Sequence, residues 1–297
     1  MRNYDKKVSV IMGVYNQWDE QILLDSVNSI LKQTLQDFEF IIYDDGSEKQ
    51  VSESIHKLAS LDDRIVLIGK EENHGLAFSL NQCIEKARGE YIARMDSDDI
   101  SMPMRLERQV AFMEEHPEYT WCGCNAEVFD ENGVWGERKM PESPAAEDYL
   151  RFSPFIHPSV MYRAEVFETM KGYQVSEETL RCEDYEIFMR FFQAGYKGYN
   201  IQENLFQYRE NKASFQRRSF KARKNEAIIR YRNFKNMGIL WPKGWIYVAR
   251  PIIAGLVPYK FLMWLKRSEA KGTQNETKAT EQEKRVLQSY IAEKANL

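Results

Sequence analysis

The first hundred residues alternate between short apolar runs and amphipathic segments, and this alternation constrains the fold more than any other feature of the chain. The apolar runs predict strands at residues 8–14, 38–43, 65–68 and 91–95. The spacing of apolar residues between them predicts helices at residues 20–33, 50–60 and 75–87. Strands and helices in this order form an α/β fold with a mostly parallel, doubly wound sheet, in which ligands bind at the carboxyl ends of the strands.

The remaining residues predict a more mixed half followed by a helical C-terminal extension. We expect helices at residues 103–115 and 184–194, and strands at residues 121–129 and 159–162. After about residue 214 the chain is first basic and helical, then aromatic and apolar at 241–265, then polar and charged at 268–297. The sequence therefore divides into a globular region at residues 1–214, with halves of about 1–100 and 101–214, and a helical region at 215–297.

Charge and cysteine content argue against two classes of protein. The net charge of −4 supplies no general positive field, so a nucleic-acid partner is not expected. Four cysteines make no disulfide framework for 297 residues, and the spacing of Cys122 and Cys124 is not the C-x-x-C of a zinc site. We expect core thiols in a reducing compartment. Residues 1–7 are polar and lead directly into a strand, which predicts no signal peptide and a cytosolic location.

Two acidic clusters follow predicted strands and should lie at the ligand-binding edge of the sheet. The first contains Asp44 and Asp45, and the second contains Asp96, Asp98 and Asp99. Three carboxylates within four residues repel one another unless a cation or hydrogen-bond donors compensate them, and their oxygen atoms suit Mn²⁺ or Mg²⁺. Two alternatives stay open: the second cluster could cap the helix at 103–115, and the first could be an ordinary Asp-Gly turn.

Gly75 stands where a helix is predicted to begin. Glycine is common at helix starts, but free N–H groups at this position could also bind a phosphate. Neither a G-x-G-x-x-G sequence nor a Walker A sequence occurs, so neither a dinucleotide fold of the usual kind nor a P-loop is supported.

Taken together, these segments resemble family 2 glycosyltransferases, the inverting enzymes with the GT-A fold, over about residues 7–214. The matching stretches, in order, are 8–16 (VSVIMGVYN), 44–47 (DDGS), 73–77 (NHGLA), 87–99 (ARGEYIARMDSDD), 157–163 (HPSVMYR) and 183–186 (EDYE). The resemblance implies a Rossmann-like catalytic domain at residues 1–214, with a nucleotide-sugar half of about 1–100 and an acceptor half of about 101–214. It is strongest to bacterial transferases of capsule, exopolysaccharide and O-antigen assembly.

The resemblance also implies roles for residues of the donor site. Tyr15 and Asp45 match positions that hold the nucleobase and ribose, usually of UDP, with Asp44 beside them, and Gly75 belongs to the same donor site. Asp96 and Asp98 occupy the D-x-D positions that hold Mn²⁺ or Mg²⁺. Asp98 is implied as the direct metal ligand, and Asp96 as a contact to ribose or metal. The metal would neutralise the charge on the departing nucleoside diphosphate.

Asp184 matches the general base that removes the proton of the acceptor hydroxyl. With Glu183 it opens an amphipathic helix, which directs the first turn towards the cleft, although acidic residues also favour a helix N-terminus on their own account. His157, Glu183 and Arg209 are further candidates for acceptor or phosphate contacts. The family pattern continues with Tyr-Arg-x-His, and here Asn211 stands at the His position, which puts a third protein ligand to the metal in doubt.

From this resemblance we predict a metal-dependent, inverting glycosyltransferase that moves a hexose or N-acetylhexosamine from a UDP-sugar to a hydroxyl of a glycan acceptor. Three alternatives stay open: extension of a glycan on a protein, a sugar-phosphate nucleotidyltransferase, and a non-catalytic relative. A nucleotidyltransferase usually has a Gly-rich loop with Arg and Lys near its start, and residues 13–16 (GVYN) stand there instead.

The apolar stretch at residues 241–265 has two interpretations. Arg250, Pro251 and Pro258 interrupt it, so a transmembrane helix is not predicted. Its Trp and Tyr residues, with a basic segment before it, favour a helix in the interface of the inner face of the cell membrane, beside a polyprenyl-linked acceptor. The alternative is a helical subdomain packed on the catalytic core or a contact within a homo-oligomer.

Overall fold

The computed structural model describes residues 4–210 and 219–256, which form one mixed sheet with helices on both faces. The strands are β1 (Lys6–Val14), β2 (Phe38–Asp45), β3 (Ile65–Lys70), β4 (Gly89–Arg94), β5 (Ile100–Ser101), β6 (Trp121–Asp130), β7 (Gly133–Arg138), β8 (Met161–Arg163) and β9 (Gly198–Arg209). The helices are α1 (Glu20–Leu31), α2 (Lys49–Ala59), α3 (Leu76–Lys86), α4 (Arg105–Glu115), α5 (Asp148–Arg151), α6 (Val166–Met170), α7 (Glu183–Gln193), α8 (Phe220–Asn236) and α9 (Trp245–Leu256).

The sheet order is β3-β2-β1-β4-β8-β6-β9-β5, with β7 beside β6. The first four strands in this order are all parallel, with β1 between β2 and β4, which confirms the predicted doubly wound half. Beyond β4 the sheet is mixed, since β8 is antiparallel to both β4 and β6, whereas β9 is parallel to β6. The carboxyl ends of β1, β2 and β4 therefore meet at one edge, and both acidic clusters lie there.

Both faces of the parallel half are covered by helices, which explains why its strands are apolar at almost every position. Val10 and Phe40 pack in a cluster that includes residues of α1 and α2. Ile11 and Ile41 point to the opposite face and pack with residues of α3. All four cysteine side chains are buried thiols and none forms a disulfide, which confirms their predicted place in the core.

The structure also contains strands that the sequence did not predict, namely β5, β7 and β9. The longest is β9, which carries several polar residues, and its pairing with β6 shifts register around Asn125, so it shows no clean alternation. Most predicted boundaries differ from the observed ones by one or two residues, and two of these differences lie near the site. The strand expected at 159–162 begins at Met161, because His157–Ser159 forms a 3-10 turn. The helix expected at 103–115 begins at Arg105.

The helical C-terminal extension is confirmed as far as the structure describes it, by α8 and α9. The chain divides after Pro251 into two units, and the second is described only as the end of α9. The predicted polar tail at 268–297, the end of the apolar stretch and Asn211 lie outside the described residues. Among the helices of residues 4–210 and 219–256, none combines the length and the apolar character that crossing a bilayer requires.

We expect Gly89→Ala to lower the free energy of unfolding by ~1–3 kcal/mol, the usual range for overpacking a core. A Cβ atom at Gly89 would lie 2.6 Å from the carbonyl carbon of Val8, so β1 and β4 would have to move apart. Gly136→Ala is the matched control, since its added Cβ would meet only the Cβ of Val128, at 3.8 Å. Urea unfolding measures the difference, and equal stability of the two variants would contradict this close approach.

Candidate active site

The end of β2 is joined to the start of α3 through the carboxylate of Asp45. This buried side chain accepts hydrogen bonds from the N–H of His74 (2.9 Å), the N–H of Gly75 (2.7 Å) and the side-chain amide of Asn73 (3.0 Å). The expectation that the N–H of Gly75 is free for a phosphate is therefore wrong, because Asp45 already occupies it. Gly75 has a φ of +88°, a left-handed conformation that favours glycine at this turn.

A second set of hydrogen bonds joins the ends of β1 and β2. Asp44 accepts a hydrogen bond from the N–H of Ser47 at 3.0 Å, and the side chain of Asn16 accepts one from the N–H of Glu48 at 2.8 Å. Tyr15, directly before Asn16, is 54% exposed, which leaves its ring accessible to a planar ligand. The predicted donor residues at these two strand ends therefore lie next to one another.

The second acidic cluster forms a tight group of carboxylates after β4. Asp96, Asp98 and Asp99 each place one oxygen within 4.8 Å of the others. Asp99 is only 1% exposed: its Oδ1 accepts from the N–H of Arg209 at 2.7 Å, while its Oδ2 has no hydrogen-bond partner among the described residues. Burial and the charges of Asp98 and Asp96 raise the pKa of Asp99 well above its usual range.

These carboxylates do not cap a helix, because α4 begins at Arg105 and its N-cap residue is Met104, which makes no side-chain cap. The helix-cap alternative is therefore wrong. A buried carboxylate oxygen without a donor, next to two more carboxylates, fits a divalent cation that prefers oxygen ligands, such as Mn²⁺ or Mg²⁺.

Three other elements hold this acidic loop in place. Arg94, which is almost fully buried at the end of β4, forms an ion pair with the carboxylate of Asp96. Ser26 of α1 donates a hydrogen bond to the carbonyl oxygen of Asp96 at 2.8 Å. Arg209, at the end of β9, donates from its Nε to the carbonyl oxygen of Asp98 at 2.7 Å. Arg209 is a candidate for an acceptor or phosphate contact in the sequence, and the structure places its side chain at the acidic loop.

His157 lies in the 3-10 turn before β8 and is buried. Its Nε2 lies 2.7 Å from the hydroxyl of Tyr173, and burial together with the charge of Arg94 holds its pKa well below the usual 6.5. Tyr173 was not predicted as a site residue, since it belongs to no sequence motif. Burial raises the pKa of Tyr173, Arg94 lowers it, and the charges of Asp184 and Asp96 raise it. Asp184 and the acidic loop therefore act on the same side chain.

Asp184 and Glu183 form the first turn of α7, whose apolar face is fully buried at Ile187, Phe188 and Phe191. Glu183 is 9% exposed, and burial raises its pKa. Asp184 is more accessible than its neighbour. Of the two carboxylates, Asp184 is thus the more exposed one.

Comparison with known proteins gives consistent matches. A family model described as glycosyl transferase family 2 matches residues 9–171. EpsE of Bacillus subtilis (strain 168), which is named as a glycosyltransferase, is 42% identical over 257 residues, or 86% of this chain and 91% of that protein. The O-antigen biosynthesis glycosyltransferase WbnJ of Escherichia coli is 32% identical over 212 residues, or 70% of this chain and 81% of that protein.

Solved structures show the same fold at low sequence identity. S. aureus TarS 1–349 in complex with UDP superimposes with a TM-score of 0.61 at 18% identity, over 86% of this chain and 76% of that one. The mannosyltransferase PcManGT from Pyrobaculum calidifontis, in complex with GDP-Man and Mn²⁺, superimposes with a TM-score of 0.61 at 16% identity. The superposition covers 90% of this chain and 81% of that one. These similarities confirm the predicted GT-A fold.

The pKa of His157 makes a prediction about stability. Because this pKa is lower in the folded than in the unfolded chain, the unfolded chain binds more protons below about pH 6.5. The free energy of unfolding should therefore fall as the pH decreases from 7.5 to 5.5, by up to ~1.4 kcal/mol per pH unit for this one group. Urea unfolding of His157→Gln should show a smaller decrease in the free energy of unfolding over the same pH range. His116→Gln, at an exposed histidine, should show the same dependence of the free energy of unfolding on pH as the wild type. The same pH dependence in all three chains would refute the lowered pKa of His157.

Proposed function

The chain belongs to glycosyl transferase family 2, and from this premise we propose that it transfers a hexose or N-acetylhexosamine from a UDP-sugar to a hydroxyl group of a glycan acceptor. The product would enter a bacterial surface polysaccharide or glycoconjugate. The name of WbnJ refers to O-antigen biosynthesis, and TarS has been crystallised with UDP-GlcNAc, which supports this substrate class. Family membership removes the nucleotidyltransferase alternative, while a glycan carried by a protein stays open as the acceptor.

The observation that carries the proposal is the group of three carboxylates, one of which has a buried oxygen without a hydrogen-bond partner among the described residues. We infer that Asp98 holds Mn²⁺ or Mg²⁺ directly, and that Asp96 contacts the same ion or the ribose. When bound, the ion would supply positive charge against the diphosphate. The Mn²⁺ in the PcManGT complex supports this inference.

The donor nucleotide would bind at the ends of β1 and β2. Tyr15 offers an exposed ring for the nucleobase, and Asp45 would hold the ribose, with Asp44 beside them. Asp45 and Gly75 shape the floor of this site through their mutual hydrogen bond, and Asp45 would contact the nucleotide with a carboxylate already oriented by two N–H groups.

Asp184 is the proposed general base. It would take the proton of the acceptor hydroxyl as the oxygen attacks the anomeric carbon from the face opposite the diphosphate. An α-linked donor then gives a β-linked product. It lies in the first turn of α7, at the end of the helix where the backbone N–H groups stabilise negative charge.

We predict that Asp184→Asn keeps the affinity for UDP in Mn²⁺ and lowers turnover by roughly 10² to 10⁴, the range typical of a lost general base. Asp98→Asn should lower turnover and also weaken UDP binding. Calorimetry with UDP in Mn²⁺ or EDTA measures binding, UDP release from a panel of UDP-sugars measures turnover, and NMR of the product identifies the linkage.

A different experimental result would contradict each part of the proposed mechanism. Equal UDP affinity in Mn²⁺ and EDTA would remove the metal. Wild-type turnover of Asp184→Asn would move the base elsewhere, with Glu183 the next candidate. An α-linked product from an α-linked donor would rule out inversion.

We also propose that α9 and the turn before it rest on the membrane surface beside a lipid-linked acceptor. Trp241 is 79% exposed and Ile246 is 70% exposed, and Trp245, whose ring packs 5.4 Å from that of Tyr231, is half exposed. Basic residues lie among and near them, at Lys243, Arg250, Lys235 and Lys224. Indole rings favour the headgroup region, and lysine and arginine favour anionic lipid, so this surface suits such a membrane.

Trp241→Ser with Ile246→Ser should abolish flotation with vesicles that contain phosphatidylglycerol, whereas the wild-type chain should float. Leu61→Ser with Val134→Ser is the matched control, because both residues are exposed and apolar but lie outside this surface. Vesicles of phosphatidylcholine alone should bind the wild-type chain more weakly, since they carry no net charge. A wild-type chain that stays at the bottom of the gradient with both vesicles would favour the packed or oligomeric alternative.

A further inference from the structure

Backbone pairing brings Arg209 to the acidic loop. β5 and β9 are antiparallel, with Ile100 opposite Gln207 and Ser101 opposite Phe206. Continued by two residues, this register brings Arg209 opposite Asp98. The N–H of Arg209 donates to Oδ1 of Asp99 at 2.7 Å, which agrees with this register. The position of Arg209 therefore follows from the pairing of β5 with β9. Any residue there except proline would keep the hydrogen bond from its main-chain N–H to Asp99.

The side chain of Arg209 adds contacts that other residues would not make. Its Nε donates to the carbonyl oxygen of Asp98 at 2.7 Å, and its guanidinium carbon lies 4.3 Å from the ring centroid of Phe129 on the neighbouring β6. A guanidinium that stacks on an aromatic ring and donates a hydrogen bond to a carbonyl oxygen has a fixed orientation. It thereby fixes the main chain of Asp98, the residue proposed to contact the metal directly.

We propose that Arg209 is a positioning residue: it holds Asp98 and Asp99 in a geometry that receives the divalent cation, and it is not a contact to the diphosphate. This assignment rests on the proposed function of the acidic loop. Three carboxylates within 4.8 Å of one another repel, and this repulsion favours a more open loop. Arg94 and Ser26 anchor the Asp96 end of the loop, and Arg209 anchors the Asp98–Asp99 end.

The two roles make opposite predictions for metal binding without nucleotide. If Arg209 only contributed positive charge or bound phosphate, its removal would leave the affinity for Mn²⁺ unchanged or would increase it, because a repelling charge is lost. If Arg209 positions the loop, its removal weakens Mn²⁺ binding. Residues that orient metal ligands in this indirect way typically contribute a factor of roughly 10 to 100 in affinity.

The experiment titrates the full chain with Mn²⁺ alone and follows the free Mn²⁺ signal by electron paramagnetic resonance. We expect Arg209→Met and Arg209→Lys to weaken binding roughly 10-fold to 100-fold, since lysine keeps the charge but lacks the planar guanidinium. Arg108→Met is the charge-matched control and should bind as the wild type does, because its side chain is half exposed and pairs with Glu203. Circular dichroism and thermal unfolding of the metal-free chains verify folding.

Each result decides between the roles. Unchanged or tighter Mn²⁺ binding by Arg209→Met, together with weaker binding of UDP in saturating Mn²⁺, would overturn the proposal and establish a phosphate contact. Wild-type affinity in Arg209→Lys would show that charge alone is sufficient and would also overturn it. A wild-type chain that binds no Mn²⁺ would refute the metal site itself, which distinguishes that failure from a wrong role for Arg209.

Discussion

Electrostatic repulsion among Asp96, Asp98 and Asp99 is the constraint around which this end of the molecule is built. Two buried arginines lie behind the loop: Arg94 pairs with Asp96, and Arg105 donates to the carbonyl oxygens of Arg94 and Pro158. Burial lowers the pKa of Arg105 to about 10, so it still carries its charge at neutral pH. Arg209 brings a third positive charge to the loop through its hydrogen bond to the carbonyl oxygen of Asp98. The arginines offset the repulsion among the carboxylates, while Oδ2 of Asp99 has no hydrogen-bond partner among the described residues, and such an oxygen suits a divalent ion.

The two acidic strand ends look alike in the sequence but differ in what satisfies their oxygens. Asp45 accepts from two N–H groups and an amide, so both of its oxygens have donors from the protein, and these hydrogen bonds join β2 to α3. Asp99 has one donor for two oxygens, and the second oxygen has no partner within the described chain. The two strand ends therefore differ in their donors: both oxygens of Asp45 receive hydrogen bonds, whereas Oδ2 of Asp99 receives none from the described residues. Counting acidic residues cannot separate these cases, because the difference lies in the donors that the fold brings to each carboxylate.

The sequence predicted the parallel half well because both faces of β1, β2 and β4 are covered, and a continuous apolar run reports that burial directly. It did not predict β9, whose polar residues show no regular alternation. The absence of a local sequence pattern also explains why two contacts of the site were not predicted. Arg209 meets the acidic loop from 110 residues away, and Tyr173 meets His157 from outside every motif. Local patterns report burial and turn chemistry. The contact of Arg209 depends on strand pairing in the mixed half, and that of Tyr173 on its backbone hydrogen bonds to Asn81 of α3.

Charges from both proposed parts of the site act on the phenol of Tyr173. Arg94, which pairs with Asp96 of the acidic loop, lowers the pKa of this phenol. The charge of the proposed base Asp184, at the N-terminus of α7, raises it. Burial raises the pKa of the Tyr173 phenol and lowers that of the His157 imidazole, so both groups are neutral at physiological pH. The hydrogen bond between them therefore joins two uncharged groups, in contrast to the ion pair of Arg94 with Asp96 in the acidic loop.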